Sequence, residues 1–193
     1  MQRLTKYQIT SRQITKSLLF TLTLAGLMTA CKEKDVAPTD DNEAITTATL
    51  QLTNKANAAE VLTATVDNLD KTADFSKATL NLKPNTVYSG KVLLSDKTKT
   101  PTLDVSAEVL KERNEHLFIY TASATTLFTV AITDKDTNPA PGPYPVGLSF
   151  DLTTKAAGTG KLNVVLRHQP NAKNGTTTPG TTDLDTNFDV VVK

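Results

Sequence analysis

Three oxygen-bearing side chains, Asp134, Asp136 and Asn138, alternate in the run Asp134-Lys135-Asp136-Thr137-Asn138. Two carboxylates and an amide at that spacing can face a hard cation from one side of a loop. A complete calcium loop also needs a glycine at its sixth position and a bidentate glutamate at its twelfth. Pro139 and Pro145 stand there instead. The run therefore reads first as an acidic turn, with weak calcium binding as the alternative. Histidine is the next ligand type, and His116 and His168 are the only two. A zinc site takes three or four ligands from Cys, His and carboxylates. With two histidines far apart in sequence and no cysteine beside them, no metal site is expected. His168 shares strand parity with Leu162, Val164 and Leu166, which marks a strand-end histidine held by hydrogen bonds. Arg167 has the opposite parity and can pair with an acidic neighbour or with a ligand carboxylate.

Nucleophile and acid–base motifs are missing. Gly147-Leu148-Ser149-Phe150-Asp151 lacks the closing glycine of G-x-S-x-G and sits in an alternating strand pattern, not at a strand-to-helix elbow. No H-E-x-x-H, phosphate-binding or dinucleotide-binding pattern occurs. The acidic residues are scattered, so a glycosidase-type pair would have to be assembled by the fold. No catalytic residue is expected, and an envelope hydrolase is the lesser alternative.

Recognition is better provided for. Pro139 to Pro145 reads PAPGPYP, a stiff loop from which Tyr144 is either displayed or folded under as a packed ring. Asn171 to Thr182 is a polar, flexible loop before the last strand. Asp134, Asp136, Asn138, Tyr144 and Arg167 are the candidate binding residues, and exposed loops on a rigid scaffold are where such residues concentrate.

The single cysteine, Cys31, follows an apolar run from Leu18 to Met28, which Arg3, Lys6, Arg12 and Lys16 precede. A basic segment, a short apolar segment and small residues at the end make an export signal. The run is too short for the ~20 residues of a spanning helix. Leu27-Met28-Thr29-Ala30-Cys31 resembles the lipobox of bacterial lipoproteins, with Met28 where Leu, Val or Ile is usual. The resemblance implies cleavage before Cys31 and a diacylglycerol and N-acyl lipid on its sulfur and amine. Several acyl chains on one residue hold a protein to a membrane where one is marginal. Lys32-Glu33-Lys34-Asp35 has no aspartate directly after the cysteine, so an inner-membrane retention signal is missing. A lysine followed by acidic residues resembles a surface-export signal; a plain charged linker is the other reading. The expected organisation is a signal peptide over 1–30, a lipidated cysteine and tether over 31–44, and a folded domain over 45–193. The expected location is the outer membrane, facing the periplasm or the cell surface.

Four of the chain's 21 basic residues leave with the signal, and all 20 acidic residues stay. A near-neutral, slightly acidic chain with no basic cluster argues against a nucleic-acid partner. Loss of the only cysteine to lipid leaves no disulfide, so stability must come from a buried core. The sequence does not indicate an oligomeric state.

From Ile45 on, apolar residues alternate with polar ones at the period of a half-buried strand. Ala48, Leu50 and Leu52 share a face, as do Leu62, Ala64 and Val66. The same holds for Ala78, Leu80 and Leu82, for Tyr88, Val92 and Leu94, and for Phe128, Val130 and Ile132. Val146, Leu148, Phe150 and Leu152 follow, then Leu162, Val164 and Leu166, and finally Phe188, Val190 and Val192. His116 to Tyr120 is a further strand, and Ala156 to Gly160 reads as a hairpin turn. Thr102 to Glu115 breaks the pattern: Val105, Val109 and Leu110 fall at helical spacing, with Asp104 as N-cap. About nine strands and one short helix predict an all-β, two-sheet antiparallel sandwich. The helix is a crossover between sheets, or else a partner-docking element.

Leu82-Lys83-Pro84-Asn85-Thr86-Val87-Tyr88 resembles the L-x-P-x-T-x-Y corner of fibronectin type III domains. The resemblance implies a structural role for Leu82, Pro84 and Tyr88 and an immunoglobulin-like sandwich. In that family the corner lies near the end of the domain; here three strands precede it and five follow. Taken with the lipobox, the charged helix, the Thr133 to Asp136 turn and Val165 to Pro170, the chain resembles small Bacteroidetes-type lipoproteins of unknown function. The expectation is a non-catalytic binding or structural module without a cofactor beyond its lipid, with an envelope protein or a glycan as partner. Most mature-chain aromatics fall on inward faces and no Trp is present, so a glycan-stacking platform is the alternative, not the first reading.

Overall fold

The computed structural model describes residues 44–193, within the second of the chain's two units, Asp40–Lys193. Cys31, the signal segment and nearly all of the tether lie outside the described residues. Two sheets pack face to face as an all-β sandwich. The larger contains β1 (Thr47–Asn54), β2 (Val61–Asp67), β3 (Asp74–Lys77), β5 (Val87–Asp96), β8 (Phe128–Ile132) and β9 (Ser149–Thr154), in the order β3-β2-β1-β5-β9-β8. A two-residue β6 (Leu103–Asp104) also pairs with β5. The smaller sheet is ordered β4-β11-β10-β7, from β4 (Thr79–Leu82), β7 (His116–Ala122), β10 (Gly158–His168) and β11 (Thr181–Val192).

The period-two pattern is what buries the core. Leu50, Leu52, Tyr88, Phe150 and Leu152 point inward from the larger sheet. Leu80, Phe118, Leu162, Val164, Phe188 and Val190 meet them from the smaller one. Each such side chain removed from water contributes roughly 1.5–3 kcal/mol before chain entropy is charged against it. Leu93 falls out of phase with that set and is exposed.

Three details differ from the sequence expectation. There are eleven strands among the described residues, because β3 and β6 carry no alternation to read: β3 is four exposed edge residues and β6 is only two long. One pair, β4 with β11, is parallel, so the smaller sheet is mixed. Ala156 to Gly160 is not a hairpin turn; the chain there leaves β9 in one sheet and enters β10 in the other.

The helix α1 (Val105–Lys111) starts where Asp104 accepts a hydrogen bond from the Ala107 N–H. Val105 and Val109 are its buried positions. It lies between β6 of the larger sheet and β7 of the smaller, so it is the crossover element. Tyr88 sits at a second crossover, from β4 to β5. Its ring is fully buried, and its hydroxyl accepts a hydrogen bond from the Lys83 N–H at 2.9 Å. Pro84 lies in that turn, Leu82 is buried just before it, and Asn85 takes a positive φ of 49°. The buried Thr154 hydroxyl donates to the Lys83 carbonyl and accepts from the Thr86 N–H, locking the same turn from β9.

Candidate functional site

One end of the sandwich gathers every candidate binding residue. Residues 133–148 join β8 to β9, and residues 169–180 join β10 to β11. The turn after α1 lies between them in space. The carboxylate of Asp134 accepts from the Gly147 N–H at 2.7 Å and the Ser149 N–H at 3.2 Å, which closes the base of the first loop. Asp136 accepts from the Tyr144 N–H at 2.8 Å and from the backbone and side-chain N–H groups of Asn138. Asn138 in turn donates to the Asn114 carbonyl.

A residue of the second loop completes the set. The Lys173 ammonium lies 2.9 Å from the Asp136 carboxylate and donates to the Arg113 carbonyl at 2.7 Å. The exposure of the two side chains is 1% and 0%. Burial pushes the Asp136 carboxyl up, but Lys173, the Tyr144 N–H and Asn138 outweigh it and hold it below the ordinary range. Burial lowers the Lys173 ammonium, against the opposing pull of Asp136. The ammonium therefore occupies the place on Asp136 that a cation would take. Asp134 and Asp136 spend their carboxylate oxygens on the loop's own N–H groups and on Lys173, and Asn138 enters the same network as a donor.

Tyr144 is half-buried. Its ring lies over Gly175, where an added Cβ would come within 2.8 Å of it. Arg167 reaches along the second loop, donating to the Pro179 carbonyl at 3.1 Å, to the Gly180 carbonyl and to the Thr182 hydroxyl. Gln169, fully buried, donates to the Thr176 and Pro179 carbonyls. The loop that reads as flexible polar sequence is thus stitched along its length. Asn, Thr and Gly composition signals a turn-rich loop, but the groups that pin it come from β10 and from the first loop, which composition does not reveal.

The two histidines form a second cluster close by. His116 and His168 are directly opposed across β7 and β10. Their rings stack with centroids 4.7 Å apart and 7° between planes. Three carboxylates border them. Asp183 of β11 stands 3.8 Å from His116 Nε2, Glu115 stands 3.6 Å from His168 Nε2, and a carboxylate oxygen of Glu112 is within 4.8 Å of a nitrogen on each ring. His116 Nδ1 lies 3.1 Å from the Glu112 backbone carbonyl. A carbonyl can only accept, so Nδ1 carries the proton and Nε2 presents a lone pair. Burial lowers the His116 imidazolium and raises the Asp183 carboxyl. Sequence parity placed His168 on the inward face, but strand order alone brought His116 beside it.

No protein-family model, curated protein or solved structure matches this chain.

Proposed function

We propose that the protein is a lipid-anchored outer-membrane lipoprotein whose sandwich is a non-catalytic binding or structural module of the cell envelope. The anchor half of this reading is supported by the sequence Leu27-Met28-Thr29-Ala30-Cys31 behind its basic and apolar segments. The binding half is carried by one observation: the buried Asp136–Lys173 pair joins the two longest loops of one end into a single surface. Loops ordered before binding lose less entropy on contact, which is how a modest surface gains affinity. Lys135 and Thr137 are exposed on the first loop and Asn174 and Thr177 on the second. That polar surface suits an envelope protein better than a sugar, since Tyr144 is half-covered and no Trp is present.

Growth with a radiolabelled fatty acid tests the anchor. Wild-type protein should take up label and sediment with outer membranes, and Cys31→Ser should do neither. Equal sedimentation without label would count against the lipid. For the binding half, cross-linking from Lys135 and Asn174 in intact cells should trap one recurrent envelope protein, with far less captured from Lys91 on β5. Capture equal from all three positions would remove the loop surface from the proposal. A glycan-array signal abolished by Tyr144→Ala would replace the protein partner with a sugar.

A further inference from the structure

The histidine cluster has a feature that hydrogen bonding leaves unexplained. His116 Nε2 presents a lone pair toward the Asp183 carboxylate across 3.8 Å. A proton shared between nitrogen and oxygen draws them to about 2.7–3.2 Å. His168 Nε2 stands 3.6 Å from the Glu115 carboxylate. The His116 lone pair and the Asp183 carboxylate repel at their separation unless positive charge lies between them. A metal ion sets a different distance. With bonds of about 2.0–2.2 Å in a tetrahedron, neighbouring ligand atoms lie roughly 3.3–3.6 Å apart. His116 and Asp183 stand slightly wider, at 3.8 Å. The ligand atoms of His116, His168 and Glu112 all lie within 4.8 Å of one another, so a small closure brings them to that spacing.

We propose that His116, His168 and Glu112, with Asp183 as the fourth ligand, bind one divalent cation of the zinc class. The nitrogen donors select the class, since imidazole favours zinc and its neighbours while calcium and magnesium take oxygen alone. The Glu112 carbonyl on His116 Nδ1 is the outer partner that a metal-binding histidine usually has, fixing the tautomer that leaves Nε2 free. Closing on the ion requires the His168 ring to turn out of its stack and Glu112 to swing inward. Both can move, because His168 is half-buried and Glu112 is exposed. His116 and Asp183 are held at side-chain exposures of 8% and 9% and form the fixed wall. Four protein ligands leave no open coordination position, so the ion is structural. It ties the end of α1 to β7, β10 and β11, beside the loop surface but independent of what that surface binds.

Calorimetric titration of Zn2+ into the full chain carrying Cys31→Ser, which removes the only thiol, tests the site. One saturable ion per chain is expected, with a rise in melting temperature. His168→Gln and Glu112→Gln should each weaken binding at least tenfold and cancel most of that rise. Ca2+ should produce neither effect. Both variants lie outside the core, and circular dichroism checks that their strands are retained; if one unfolds, the other decides. Absence of saturable Zn2+ uptake by the folded parent would overturn the proposal. So would uptake left unchanged by both substitutions, or equal uptake of Ca2+.

Discussion

Lys173 and Asp136 form an ion pair of 2.9 Å from which solvent is excluded on both sides. They are separated by the whole of β9 and β10 in the chain. Lys173 also donates to the Arg113 carbonyl, so one ammonium joins two loops and the turn after the helix. Such a pair adds little net stability over an apolar replacement, because both charges lose their water. What it imposes is arrangement: neither loop can shift without leaving a buried charge alone.

Lys173→Met should therefore be costly. It leaves the Asp136 carboxylate buried with only N–H donors, and breaking one partner of a buried pair costs about 3–5 kcal/mol. The double variant Asp136→Asn, Lys173→Met should lose less than Lys173→Met alone. Urea unfolding of the three proteins measures both differences.

Acid should act on the same pair. The folded-state pKa of Asp136 is lowered from 3.8. A group so depressed adds stability that is fully present above its unfolded value and is lost as pH falls through its folded one. The stability difference between wild type and Asp136→Asn should hold steady from about pH 7 to 5 and shrink below about 3.8. A difference growing toward acid would reverse the sign and refute the pairing.

Tyr88→Phe removes a hydroxyl and nothing else. The Lys83 N–H then loses its acceptor at the crossover between sheets. Lys83 is exposed, so the loss is that of an ordinary hydrogen bond, about 0.5–1.5 kcal/mol. Thermal unfolding should show the loss with the β circular dichroism unchanged at low temperature.

Gly90 lies opposite Phe150 in the register of β5 and β9. A Cβ at Gly90 would come within 2.3 Å of the Phe150 ring. Gly90→Ala should force the ring aside at a cost of about 1–3 kcal/mol, and Gly90→Ala with Phe150→Leu should lose less than the sum of the two single changes. Denaturant midpoints across the four proteins test this non-additivity.

Much of the sandwich was legible because burial on a strand has period two. Leu50, Leu80, Leu152, Leu162 and Val190 face the core as their parity says. The helix cap at Asp104 was legible for a similar reason, since capping is a relation between near neighbours in sequence. The edge strand β3 was not, because its four exposed residues have no buried face to set a pattern. The candidate site was legible only in its location. Asp134, Asp136, Asn138, Tyr144 and Arg167 do collect at one end, but their side chains serve the loops themselves. Lys173 carried no sequence signal, because a lysine in a polar loop looks the same whether solvated or buried.

The sequence by itself determined the alternation that makes two sheets, the helix start, the tyrosine turn and the lone cysteine behind an export-like segment. All of these are short-range: one residue's neighbours within a few positions decide them. Tertiary structure alone decided that β4 runs parallel to β11, that Lys173 meets Asp136, and that His116 stacks on His168. Those contacts depend on which strands become neighbours, and that choice follows from packing the whole core, which no local window of residues contains.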